Sequence, residues 1–322
     1  INTLTTAIYD SWLVYGSLAS AAKISCLTLL FVVSLTALEK YSRKRQLHFN
    51  SRTGKSTEPV KASRLRALSI WAFCGLVFCL GFLIPLITLI GYCVDYWLEN
   101  SNSKVWLHAQ DTFMLAASAA FIATVIAILF NSQQRFTPST QNQSKLSLSS
   151  LGYAIPGTVL AIGILIPLSQ LDIGLNHFIQ WLGFEKVGLI FSGTSFALII
   201  AFVIRFSAIG NGSIQAAYKQ MPTNLDSAST MLKASRFKTF HKIHLPILRP
   251  ALVSAFLLVF IECVKELPAS LLLRPFDFET LATYVFQFAS DEQLEHAASS
   301  ALLIIVVSLL PILLLSRSQK MQ

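Results

Sequence analysis

The chain has 322 residues, of which 54% are hydrophobic and 13% charged, with 23 Phe and a mean hydropathy of +0.60. A soluble fold needs about a quarter of its residues charged to cover its surface, so an ordinary water-soluble domain and a disordered chain are both excluded. The formal charge of +9, from 25 Lys and Arg against 16 Asp and Glu, reports the loops on one side of a membrane and not a nucleic-acid partner. Cys26, Cys74, Cys79, Cys93 and Cys263 all fall in apolar runs, with no CxxC and no spacing that implies zinc or a disulfide framework. The first residue is Ile1 and no charged n-region precedes an apolar core, which reads as a chain that starts inside a longer protein.

A bilayer core of about 30 Å takes about 20 helical residues. Apolar stretches of that length run over 17–38, 68–94, 110–130, 148–169, 188–209, 249–271 and 297–315, which predicts an all-α polytopic membrane protein with seven spans. Nine Lys and Arg fall in 39–66, two in 131–147, seven in 205–249 and two in the tail, 20 of the 25 in all. Basic loops resist translocation, so these loops are assigned to the cytoplasm, with the N-terminus outside and the C-terminus inside.

After the first span, residues 39–66 are basic, rich in Ser and Thr, and without apolar periodicity, as a solvated cytoplasmic linker is. Gly152, Pro156 and Gly157 mark the inner start of the fourth span, where Gly157 and Ala161 form a small-xxx-small step for close helix packing. The loop between the fifth and sixth spans reads MPTNLDSASTMLKASRFKTFHKIHLPILRP. Thr223, Asn224 or Asp226 can cap a helix there that carries Leu225, Met231 and Leu232 on a mainly apolar face. Lys233, Arg236, Lys238 and Lys242 follow, then Ile243 and Leu245, and Pro246 is expected to stop the segment before the next span. His241 and His244 stand among lysines and are not proposed as metal ligands.

The sixth span carries Glu262, Lys265 and Glu266, with Glu262 about 20 Å along the helix from Arg249 and so inside the apolar layer. Spacings of three and four place all three on one face. They read either as part of a translocation path or gate, or as a pair that satisfies itself while Lys265 and Glu266 snorkel outward. Pro268 is expected to break or kink the outer end of this span. Residues 276–296 interleave Asp277, Glu279, Asp291, Glu292 and Glu295 with five aromatic residues, the pattern of an amphipathic element at the membrane surface.

This outer stretch also repeats the start of the chain. Thr3, Leu4, Thr6 and Tyr9 correspond to Thr280, Leu281, Thr283 and Phe286 at an offset of 277 residues, and after a one-residue gap Leu18, Ala21 and Ala22 correspond to Leu294, Ala297 and Ala298. The offset suits duplication of a whole membrane unit. Residues 1–38 are then the end of a first copy, 39–66 the linker, and 67–322 a complete second copy with six spans. Duplicated membrane units are typical of transporters. HExxH, GxSxG, a TVGYG-type filter and an Arg-rich voltage sensor do not occur.

The cytoplasmic loop resembles the EAA motif of ABC importer permeases, E-A-A, three residues, G, nine residues, I-x-L-P. Ala228, Ile243, Leu245 and Pro246 match it; Ser227 stands for the Glu, Ser229 for the second Ala and Lys233 for the Gly. Asp226, one residue early, is placed to supply the acidic group at a helix N-terminus, whereas Lys233 takes a left-handed turn only at a cost. LGYAIPGTVLAIGILIPL, the KELP and LLLRPF strings and LLPILLLSR are closely similar to the second half of ferric-iron ABC permeases, in which two halves are fused. The resemblance implies a type I ABC importer permease-like helical bundle in a bacterial inner membrane. It also implies a coupling loop (Asp226, Ser227, Ala228, Leu232, Lys233, Ile243, Leu245, Pro246) that docks on a cytoplasmic ABC ATPase dimer, and a periplasmic substrate-binding protein as the outer partner. GxxxxGK[ST] is absent from the chain, so no cofactor is expected here, with ATP and Mg held by the ATPase. Two alternatives stay open: a permease for another small solute such as thiamine, sulfate or a polyamine, and an ion-gradient-driven secondary transporter with Glu262 as proton site.

Overall fold

The computed structural model describes residues 3–44, 63–96 and 103–319, so residues 45–62 of the basic linker lie outside the described residues. A short helix α1 (Leu4–Tyr9) widens into one π turn (Asp10–Val14) and leads to α2 (Leu18–Lys44). α3 (Arg64–Phe78) passes through a second π turn (Cys79–Leu83) into α4 (Ile84–Asp95), and α5 (Ser103–Phe136) and the short α6 (Thr140–Ser149) follow. Next come α7 (Gly157–Trp181), α8 (Ser195–Gln220), α9 (Asn224–Met231) and α10 (Arg236–Thr239), which runs through a π turn (Phe240–His244) into α11 (Leu245–Val264). α12 (Pro268–Leu273), α13 (Leu281–Ser290) and α14 (Leu294–Gln319) complete the described fold. Among the described residues, seven helical stretches are long and apolar enough to cross a membrane.

α5, α8 and α11 pack together at the centre. Ala116, Ala119, Ala120, Ala123 and Ala127 of α5 are all buried, and a Cβ added at Gly210 of α8 would stand 3.5 Å from that of Ala127. In lipid, helices associate through close van der Waals packing, and these small residues permit the approach. Phe202 and Phe206 of α8 are buried in the same core. The start of α7 is tighter still: a Cβ at Gly152 would sit 2.0 Å from the Ile204 carbonyl oxygen, and one at Gly157 would sit 2.5 Å from the Arg205 guanidinium. Gly157 and the buried Ala161 thus do provide a close packing step.

The fourth, fifth and sixth spans differ most from those expected, and the third is longer at both ends, Lys104–Phe136 in place of 110–130. The fourth span is Gly157–Trp181 and not 148–169, because Pro156 occupies the N-cap and residues up to Ser149 coil separately as α6, capped by Ser139. The fifth begins at Ser195 and not 188, because a buried carboxylate claims the preceding backbone. Asp172 of α7 accepts from the N–H groups of Ile190, Phe191 and Ser192 at 2.8–2.9 Å and from the Ser192 hydroxyl at 2.6 Å. Asn176, one turn on, accepts from Val187 at 2.9 Å and Gly188 at 3.2 Å. Buried N–H groups need partners, and here side chains supply what a helix otherwise would.

The sixth span runs Arg236–Val264, not 249–271. Pro246 does not stop the segment: it lies in the first turn of α11, directly after the π turn, where its missing N–H is tolerated. At the far end the span does break, as expected: the helix stops at Val264, and Pro268 opens the separate helix α12.

Candidate functional site

The loop that resembles the coupling motif is built around Asp226. Its Oδ2 accepts from Arg135 Nε at 2.7 Å and its Oδ1 lies 2.7 Å from His244 Nε2. Arg135, in the last turn of α5, also donates to the carbonyls of Tyr218, Met221 and Pro222 at 3.2–3.4 Å. His244 is fully buried, with its ring stacked on Phe136 at 4.8 Å and its Nδ1 3.4 Å from the Tyr218 hydroxyl. One carboxylate therefore ties α9 to the end of α5, the end of α8 and the start of α11. Asp226 is turned inward and does not cap α9, and neither Thr223 nor Asn224 makes a side-chain cap bond. The carboxylate beside His244 is one that the loop's lysine-rich neighbourhood did not announce.

Lys233 adopts φ 56, the left-handed conformation in which a glycine would be at ease. Its N–H donates to Thr230 and that of Ala234 to Ser229, at 2.9 and 3.0 Å, so α9 ends in a Schellman motif with Lys in the glycine place. The expected single apolar face divides in two. Leu225 packs into the bundle together with Leu245, while Met231 and Leu232 point outward and are 85 and 83% exposed, and Phe237 is 74% exposed. Ser227, Ala228 and Pro246 are exposed and Ile243 is half-buried. Below this tip, Thr239 donates to the Ser229 hydroxyl at 3.1 Å and Arg236 to that of Thr137 at 3.1 Å.

Replacing Asp226 with Asn removes a charge-assisted acceptor from both Arg135 and His244 and is expected to destabilise the fold by about 1.5–3 kcal/mol. Thermal unfolding of Asp226→Asn, Arg135→Gln and the double variant forms the test. Strictly additive losses would show that the pair does not act as one unit.

The three ionisable residues of the sixth span do not share a face. Lys265 ends α11 as its C-cap, and its ammonium lies 2.7 Å from Glu262 while remaining 53% exposed. Glu266 turns the other way. Its Oε2 lies 3.3 Å from Arg205 Nε of α8, its Oε1 accepts from the Ala269 N–H at 3.2 Å, and the two side chains are 7 and 17% exposed. Arg205 also donates to the Ile155 carbonyl at 3.1 Å. The pair joins α8, the start of α7 and the break between α11 and α12, and Arg205 is a partner that sequence reading assigned to a loop.

At the end of the bundle opposite α9, a cavity of about 1140 Å³ opens between α1 and the α12–α13 segment. Tyr9 and Trp12 line it on one side; His108, Glu279, Tyr284 and Phe288 line it on the other. Glu279 is ion-paired with Arg274, and the His108 and Tyr284 rings lie 4.9 Å apart. Burial raises the Tyr284 phenol above its ordinary pKa, and the Glu279 carboxylate adds to the shift. α13 is not a detached surface element: Leu281, Ala282 and Thr283 are buried, and the Leu281 N–H donates to Thr112 of α5 at 2.8 Å. Among the described residues, no three His, Cys, Asp or Glu side chains are grouped as metal ligands.

With this geometry in place, comparison with known proteins places the chain. It is 25% identical over 327 residues to the Fe(3+)-transport system permease protein FbpB 2 of Haemophilus influenzae, covering 98% of this chain and 60% of that protein. It is 27% identical over 204 residues to the ferric transport system permease protein FbpB of Actinobacillus pleuropneumoniae, covering 62% of this chain and 29% of that protein. The chain therefore spans 60% or less of the length of these relatives. A bacterial ABC transporter involved in the import of the acidic polysaccharide alginate shares the fold, with a TM-score of 0.61 at 16% identity over 80% of this chain and 96% of that one. Residues 142–322 match the family described as binding-protein-dependent transport system inner membrane component, more than half of the chain, and the chain belongs to that family.

Proposed function

We propose that this chain is the second permease half, with the end of the first, of an ATP-driven importer that moves ferric iron from periplasm to cytoplasm by alternating access. The carrying observation is the loop around α9, which holds Met231, Leu232 and Phe237 out in solvent on a base anchored through Asp226 to three spans. An apolar tip on a rigid base suits a groove on a partner, and family membership supports an ATPase dimer as that partner. On this reading the basic end faces the cytoplasm, the N-terminal end of the chain lies outside, and the cavity by Tyr9 and Tyr284 receives substrate from a periplasmic binding protein. ATP and Mg belong to the ATPase, and this chain works as a transport subunit and not an enzyme. Iron as substrate is supported by the two ferric relatives alone, since a transporter named for alginate has the same fold.

The test uses the complete protein in vesicles with its ATPase and binding protein, following labelled ferric iron with and without ATP. ATP-dependent uptake is the expected result. ATPase stimulation by a binding protein loaded with another solute, without iron uptake, would keep the importer and discard iron. Uptake that follows a pH gradient and ignores ATP would overturn the importer itself.

A further inference from the structure

The two stretches that repeat in sequence also repeat in geometry, beyond the seven matched residues. Thr3 caps α1 and Thr280 caps α13, each in a capping box: the Thr3 and Thr280 hydroxyls both accept from the third helical N–H at 3.2 Å, and the Thr6 and Thr283 hydroxyls accept from the cap N–H at 2.8 and 2.9 Å. Placing the gap at the π turn Asp10–Val14, which accommodates an extra residue, pairs Gly16 with Glu292 in the turns that follow, and these share the left-handed conformation, with φ 64 and 59. The next long helices start at the paired residues Leu18 and Leu294. Lone chance similarity in apolar sequence does not reproduce a cap, a positive φ and a helix start in the same order.

Tyr9 and Phe286 are paired by the same alignment, and their rings touch each other edge to face, with centroids 6.2 Å apart and planes at 75°. Where two copies of a unit are related by a two-fold axis, a position that touches its own equivalent lies on that axis. The contact thus marks where the axis between the two halves passes. In transporters built from repeats, the substrate path runs along the interface between them. The cavity of about 1140 Å³ lies against the Tyr9 side of this contact, with Tyr9 and Trp12 contributed by the first repeat and Tyr284 and Phe288, which flank Phe286 in sequence, by the second. An aromatic pair is a fitting closure, because an edge-to-face contact is worth only about 0.5–1.5 kcal/mol beyond its buried area and separates without breaking an ion pair.

We propose that Tyr9 and Phe286 form the outer gate of the substrate path, on the pseudo-two-fold axis that relates the two permease halves. The proposal rests on the importer reading above. Its test starts from the full-length protein with Cys26, Cys74, Cys79, Cys93 and Cys263 replaced by Ala, into which Tyr9→Cys and Phe286→Cys are introduced singly and together. A short, reducible bifunctional thiol reagent is expected to link the double variant in the absence of ATP, lower ATP-driven uptake at least tenfold, and release it on reduction. Each single variant is expected to show the same uptake before and after the reagent, whatever its level relative to the parent protein. Absence of a cross-link, or unchanged uptake by the linked protein, would overturn the gate.

A second measurement needs no transport and so separates failure of the gate from failure of the importer reading. Ser169, which lines the cavity, is replaced by Cys and labelled from outside with a membrane-impermeant thiol reagent. Tyr9→Ala or Phe286→Ala is expected to speed labelling at least tenfold. Equal rates with the aromatic pair present and absent would rule the gate out, whatever the protein carries.

Discussion

Glu266→Ala is expected to be the most damaging single substitution to the stability of the bundle, by about 3–5 kcal/mol, because it leaves the Arg205 guanidinium buried without its counter-charge. Arg205 sits inside α8 between Ile204 and Phe206, 17% exposed, and among the described residues its guanidinium pairs with Glu266 and donates to the Ile155 carbonyl. The same carboxylate accepts the Ala269 N–H at the start of α12, so its loss also frees a buried donor at the helix break. Yield of folded protein after detergent extraction and the thermal unfolding midpoint are the readouts. The double variant Arg205→Met/Glu266→Met is expected to recover much of the loss, since a well-packed apolar pair removes the desolvation cost of both charges. Retention of the wild-type midpoint by Glu266→Ala would show that water or another group already compensates Arg205. Glu262→Ala should lie within about 1 kcal/mol of wild type, because its partner Lys265 is half in solvent.

That contrast illustrates what the sequence reveals and what it withholds. Hydropathy alone locates all seven spans, because about 20 apolar residues in a row have few other uses. Helix starts and stops are less legible, since they depend on groups far away in sequence. The apolar run 188–194 would pass for helix were it not that Asp172, buried in the preceding span, binds its N–H groups. The face shared by Glu262, Lys265 and Glu266 assumes a continuous helix, and α11 ends at Val264, which releases Glu266 toward α8. Arg205 was counted with a basic loop, although the run FVIRFSAIG around it is apolar, and a lone arginine in such a run is a signal that it needs a buried partner. Arg135 and His244 carried no such flag. Their roles come from a carboxylate 91 and 18 residues away, and no spacing rule reaches that far.

Leu232→Asp is expected to abolish ATP-driven uptake while leaving insertion and the unfolding midpoint unchanged. Leu232 is 83% exposed at the C-cap of α9, so its removal disturbs little within the chain. On the proposed docking its value lies in what would cover it in the complex: burial of a leucine side chain contributes about 1.5–3 kcal/mol, and a carboxylate placed in the same apolar groove would cost more than that again. A loss of about 3 kcal/mol is a weakening of more than a hundredfold, enough to release the ATPase at ordinary concentrations. Leu232→Met, which keeps the apolar volume, is expected to retain uptake. The outcome differs in kind from that of loosening the anchor. With Asp226→Asn, on the proposed docking, the apolar tip is expected still to engage the ATPase and hydrolysis to continue, while its movement would reach α5, α8 and α11 through a weakened connection and uptake per ATP is expected to fall. Copurification of the ATPase separates the two variants: lost with Leu232→Asp, kept with Asp226→Asn. If Leu232→Asp leaves uptake and copurification intact, α9 is a topology anchor, and the docking surface must be sought elsewhere on the basic end.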